Sequence, residues 1–140
     1  MWTSEDSIII KSKPEVVWKY WSDPNTWSQW DPDIVYCKVF GEFKQGNQGV
    51  LKPKNGPEVK FTLTDVQPNK SFIDEAKLLL ATLSFSHSLQ VVSNTHVRIT
   101  HKATITGPLS FLFVKLMGKN LRRTIPLALD NLAALAAKAE

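Results

Sequence analysis

The sequence predicts an α+β fold, in which a strongly curved, seven-stranded antiparallel sheet carries two short helices after its first strand and a long C-terminal helix over its concave face. Three observations lead there. Between Gly107 and Ala139, Leu109, Leu112, Phe113, Leu116, Met117, Ile125, Leu129, Leu132 and Leu135 recur at steps of three and four, the period of an amphipathic helix. From Ile34 to Thr106 the apolar period is instead two, interrupted by short turn sequences. The last two of these strands alternate apolar and polar residues along their whole length, as expected of a sheet with one buried and one wet face.

Taken in chain order, Ser7 to Lys11 holds three β-branched isoleucines and predicts the first strand. Ser12-Lys13-Pro14-Glu15 has the spacing of a capping box, and the helix it starts turns Val17, Trp18 and Trp21 inward. Asp23 followed by Pro24 predicts the cap and first turn of a second short helix, which ends near Trp30-Asp31-Pro32. Six strands follow: Ile34 to Phe43, Gly49 to Lys54, Glu58 to Val66, Ser71 to Lys77, Leu80 to Val92 and His96 to Thr106. Their connections are short, so neighbours pair as antiparallel hairpins. Gly107-Pro108 then opens the long helix, about 45 Å if straight, with Pro126 as its one expected kink and Lys115, Lys119, Arg122 and Arg123 opposite the apolar stripe. A rod with one apolar stripe needs a broad apolar bed, and the inward face of the last hairpin supplies it.

At 140 residues the chain predicts a single domain, 1–140, with a core of its own. A net charge of +4, spread along the chain, argues for solubility rather than for nucleic-acid binding. The sheet shows no aromatic and basic residues interleaved on one outer face, so no RNA platform is expected. One cysteine, Cys37, excludes an internal disulfide. There is no signal peptide and no apolar stretch of spanning length, which predicts a cytoplasmic protein, with transient rather than inserted membrane contact at most.

The same passages resemble a known family. Asp23-Pro24, Trp27-Ser28-Gln29-Trp30-Asp31-Pro32-Asp33-Ile34, the turns Gly46-Asn47-Gln48-Gly49, Gly56-Pro57 and Val66-Gln67-Pro68, and Thr106-Gly107-Pro108-Leu109 are similar to the punctuation of the polyketide cyclase/dehydrase-like branch of the START and pollen-allergen superfamily. The resemblance covers essentially the whole chain and implies the helix-grip fold. It also implies a cavity between helix and sheet for a lipid, sterol, polyketide or other small apolar molecule. No cofactor is expected, and the chain is expected to be a monomer or homodimer.

His87 and His101 are the two ionisable residues on the inward face of the last hairpin. A three-residue turn at Ser93 to Thr95 pairs them with Cβ atoms about 5 Å apart, and a register shift of two would set His101 opposite Phe85 and leave the histidines diagonal neighbours. They are candidates to anchor a ligand's carbonyl or hydroxyl, or to act as acid and base in a cyclase-type closure; the alternative is a satisfied core pair. Two histidines are too few for a metal site, and none is expected. Trp18, Trp30, Tyr36, Phe61, Phe85, Leu89, Ile99, Leu112, Phe113 and Leu116 are the further candidates for a ligand cavity, with Tyr36 helping to fix the polar end; core packing is the competing role for each. Asp31, Asp33, Asp74 and Glu75 read as strand-end acids, and Cys37 as an inert buried thiol.

Overall fold

The structure, a computed structural model, describes residues 1–139; Glu140, the last residue of the predicted domain, lies outside the described residues. The chain runs β1 (Trp2–Lys11), α1 (Pro14–Trp21), a 3-10 turn (Pro24–Thr26), α2 (Trp27–Trp30), β2 (Ile34–Val39), β3 (Gln48–Pro53), β4 (Val59–Gln67), β5 (Ser71–Leu78), β6 (Ala81–Val91), β7 (His96–Thr106) and α3 (Ser110–Lys138). The seven strands form one antiparallel sheet in the order β1-β7-β6-β5-β4-β3-β2. Only β1 is out of sequence, closing beside the last strand, so the α+β arrangement anticipated from the apolar periods, and the helix-grip fold that the resemblance implied, are the observed ones.

Local chemistry explains most boundaries. Asp23 caps the 3-10 turn, its carboxylate accepting from the Asn25 N–H. The capping box at Ser12 does not form. Lys13 takes the N-cap position, and the Ser12 hydroxyl donates to the Lys13 carbonyl instead. β1 is longer than its isoleucine run, because Trp2 to Lys11 all pair with β7, from Trp2 opposite Ile105 to Lys11 opposite His96. Cross-strand pairing thus recruits a polar stretch that lacks strand propensity of its own. β2 stops at Val39, short of the expected Phe43; Gly41 and Gly46, both at φ +96°, turn the chain before β3.

The core lies where α1, α2 and the second half of α3 meet the sheet. Trp21, Trp27, Trp30, Phe72, Ile99, Ile105, Leu129 and Leu132 are buried there. In α3 every buried residue lies at or after Gly118, where the helix packs against β1 and β7. The helix runs unbroken through Pro126. Before Gly118 none of its residues is buried, and the predicted stripe there serves a different surface: Leu116 is 70% exposed and Leu112 40%. No helix among the described residues is long and apolar enough to cross a membrane.

Candidate functional site

The unburied half of α3 stands over an open groove of about 530 Å³. Phe113, Leu116, Met117, Asn120 and Leu121 form one wall, and Leu51, Phe61, Asp74, Ala76, Leu83 and Phe85 of the sheet form the other. A second, smaller chamber of about 80 Å³ lies deeper, lined by Trp27, Trp30, Asp31, Asp33, Ile34, Asp74, His87, His101, Thr124 and Ile125 among others. The two cavities share Asp33, Leu51, Asp74, Phe85 and Leu121, so they adjoin, with Asp74 in the wall of both.

Register puts these groups in rows. His87 lies directly opposite His101 across β6 and β7, and Phe72 opposite His87 across β5 and β6. One step along, Asp74 lies opposite Phe85, and Phe85 opposite Ala103. The two imidazoles meet edge to face with centroids 4.7 Å apart, and the Phe72 ring stacks on His87 at 3.9 Å. Trp21 and Trp30 close over the pair, at 5.8 Å and 5.6 Å from His101. His87 Nδ1, His101 Nε2, Trp21 Nε1 and Trp30 Nε1 are all buried and have no hydrogen-bond partner within the protein. Four such atoms in one cluster are unusual for an interior in which polar atoms are nearly always paired.

Electrostatics separate the acids from the histidines. Burial holds His101 down at about 3, and burial together with its neighbour His101 holds His87 well below the usual imidazole range, so both are neutral at physiological pH. Burial raises the Asp74 carboxyl to about 8, reinforced by the charges of Asp31 and Glu75, so at pH 7 it is mostly protonated. Burial likewise raises Asp31 to about 6, against the pull of the Asp33 N–H that its Oδ1 accepts at 2.9 Å. Burial pushes the Cys37 thiol up, as suits an unreactive side chain. No group of three or more potential metal ligands occurs among the described residues.

The structure distributes the sequence candidates unevenly. Trp30, Phe61, Phe85, His87, His101, Phe113 and Leu116 line one or other cavity. Trp18 does not; it packs edge-on against Trp21, Phe43 and Phe72 in the aromatic core. Leu89 and Ile99 pair one row beyond the histidines, on the far side of that core from the chamber, and Leu112 turns outward. Tyr36 is on the outer face of β2, 45% exposed, where its hydroxyl donates to the Glu58 carboxylate, which raises its own titration. A bulge between Ile34 and Tyr36 sets it there, so it cannot hold the polar end of a cavity ligand. The residues undervalued from sequence are Asp31 and Asp74. The signal for Asp74 was present: Phe72, Asp74 and Ala76 alternate on one face of β5, and all three are buried.

A curled antiparallel sheet gripping a C-terminal helix, with a cavity between them, defines the helix-grip class of proteins. Within that class the chain belongs to the family described as polyketide cyclase / dehydrase and lipid transport, whose model matches residues 1–137. No curated protein sequence matches it. Among solved structures, a Mesorhizobium loti protein aligns over 99% of both chains at 15% identity and a TM-score of 0.78. Norcoclaurine synthase from Thalictrum flavum, in complex with dopamine and hydroxybenzaldehyde, aligns over 99% of this chain and 88% of its own, at 11% identity and a TM-score of 0.73. The di-domain aromatase/cyclase BexL of the BE-7585A biosynthetic pathway aligns over 94% of this chain and 46% of its own, at 12% identity and 0.72. Likeness at such identities concerns the fold.

Proposed function

We propose that this protein binds a small, largely apolar molecule, its body in the groove under the first turns of α3 and its polar end in the deeper chamber. The observation that carries this reading is the adjoining pair of cavities. The groove has the size and the apolar lining of a small-molecule site, and the chamber beside it is walled by residues with buried polar atoms that have no protein partner. Leu79, Leu80, Phe111 and Leu112 leave an exposed apolar tip where the Leu109 N–H bonds the Leu80 carbonyl, which suits brief contact with a lipid surface during exchange. Titration with the neutral dye Nile red tests the proposal. Saturable one-to-one binding, displaced by decanol and weakened by Leu116→Glu at the exposed rim, is the expected outcome; unsaturable or rim-independent binding removes it.

A second reading, cyclase-type catalysis, is favoured by the two carboxyls whose titrations straddle neutrality, Asp74 protonated and Asp31 largely ionised at pH 7. An acid and a base of this kind suit proton transfer to and from a carbonyl compound better than the histidines, which are held neutral and weakly basic. In that role Asp74→Asn lowers turnover of a bound carbonyl substrate and leaves its affinity largely intact.

A further inference from the structure

We propose that the polar end of the ligand is a cation, an ammonium or similar protonated amine, and that the chamber selects against the carboxylates of fatty acids. The inference rests on the binding reading above and narrows it.

Composition and placement disagree in an informative way. The chain has 17 Lys and Arg against 13 Asp and Glu. Yet among the described residues neither cavity is lined by a lysine or arginine, while Asp31, Asp33 and Asp74 all line the chamber. An anionic headgroup would meet three carboxyls and no counter-charge. A cation meets acceptors in those carboxyls and in an unprotonated His87 Nδ1 or His101 Nε2; the unpartnered Trp30 Nε1 in the same wall only donates and serves a hydroxyl or carbonyl neighbour instead. The two imidazole nitrogens are independent of the acids. Both residues are more than nine-tenths buried and line the same chamber, and His87 Nδ1 and His101 Nε2 have no hydrogen-bond partner within the protein. A neutral imidazole nitrogen without a proton accepts from an N–H donor, and an ammonium offers three. Trp27 and Trp30 add aromatic rings to the walls. The chamber, at about 80 Å³, has room for a headgroup and not for a ring system.

Charge balance fixes how such a ligand binds. The amine arrives protonated, Asp74 ionises beside it, and the Asp74 proton leaves to solvent. Affinity for an amine therefore rises with pH until Asp74 is already ionised in the free protein. The titratable groups facing Asp74 are Asp31 and Asp33 before β2, Cys37 on β2, Glu75 on β5, His87 on β6 and His101 on β7. The histidines stay neutral and the thiol stays protonated from pH 6 to 8, and Asp31 ionises near the lower end of that range, which adds to the same trend.

Calorimetric titration with n-decylamine, n-decanol and decanoate, which share one tail, tests this. At pH 7 decylamine is expected to bind at least about tenfold tighter than decanol, and decanoate most weakly. Its binding should release a proton, read as a dependence of the heat on buffer ionisation enthalpy, and its affinity should climb up to about tenfold per pH unit towards pH 8. Asp74→Asn, neutral like the protonated acid it replaces, should abolish most of the proton release and narrow the margin of decylamine over decanol, Asp31 and Asp33 remaining in the wall; a cooperative urea transition shows that the variant folds. Decanol or decanoate binding as tightly as the amine, or an Asp74→Asn protein whose margin and proton release match the parent's, overturns the inference and leaves the apolar site standing. Failure of all three tails to bind overturns the binding reading and the inference together.

Discussion

Replacing Asp74 by asparagine tests whether a carboxyl is held neutral in this interior, independently of any ligand. Asp74 is 6% exposed, and its carboxyl titrates at about 8 instead of 3.8. An acid whose folded value is raised contributes stability that is fully present below its unfolded value and is lost as pH rises through the folded one. Over the whole interval the loss is roughly 6 kcal/mol, since each unit is worth about 1.4 kcal/mol. Between pH 6 and pH 8 it is about 2 kcal/mol, because the native acid is only half ionised at the upper limit. His87 and His101 act oppositely, adding stability as pH rises through the unfolded imidazole value, but they are common to both proteins and cancel in the difference. Urea unfolding of the two proteins at pH 6, 7 and 8 is the assay. Asp74→Asn should gain about 2 kcal/mol relative to the parent between the first pH and the last. A gap that stays constant across the series would falsify the neutral carboxyl and, with it, the proton release predicted for amine binding.

Three other substitutions probe neighbouring parts of the fold. His101→Leu removes a buried unpartnered nitrogen and the need to keep an imidazole neutral, so acid unfolding should move to lower pH, with a gain of about 1–2 kcal/mol near pH 5; a protein that unfolds at the same pH or earlier contradicts the orphaned nitrogen. Gly49→Ala should cost about 1–3 kcal/mol in denaturant titration, because a Cβ there would stand 2.3 Å from the Lys38 carbonyl oxygen and 2.7 Å from the Phe61 ring; unchanged stability would mean that β2 and β3 can separate cheaply. Pro126→Ala restores a helical N–H inside the continuous α3 and should raise the melting temperature, by the equivalent of about 1–3 kcal/mol; no change would place the effect of Pro126 in the unfolded chain.

How far the sequence carries the reader differs between fold and site. The meander from β2 to β7, with His87 opposite or diagonal to His101, follows from short turns and period-two alternation, both local signals. The extent of β1 does not, because residues 2–6 are strand only by virtue of the partner β7 provides. α3 is the most instructive case. Its apolar repeat is continuous from Leu109 to Leu135, yet only the part from Gly118 onward is buried. Periodicity reports that a face is apolar and cannot say whether a sheet or an empty groove lies beneath it. Tyr36 shows the same limit in a strand, where one bulged residue reverses the face. Asp74 lay on a legible inward position, but its chemistry depends on how many groups surround it without a positive charge, and that is a property of the whole enclosure.

The groove stays open because of how α3 is fixed at two places. At its start, Gly107 at φ +108° lets the chain pass so close to the β5–β6 turn that a Cβ would stand 2.7 Å from the Leu80 oxygen, and the Leu109 N–H bonds that same oxygen. From Gly118, whose missing side chain leaves the Trp2 ring in contact distance, the helix lies on β1 and β7, with Arg122 over the Trp2 ring at 5.5 Å. Between these points residues 110–117 form a rod of about 12 Å. A helix of that length, hydrogen-bonded along its own axis, does not sag into a space below it. Collapse of the groove therefore requires releasing one of the two anchors, so the apolar faces of Phe113, Leu116 and Met117 are held over the sheet without sealing against it. An apolar surface kept apart from its partner in this way remains available to a third body, and the deeper chamber decides what charge that body carries.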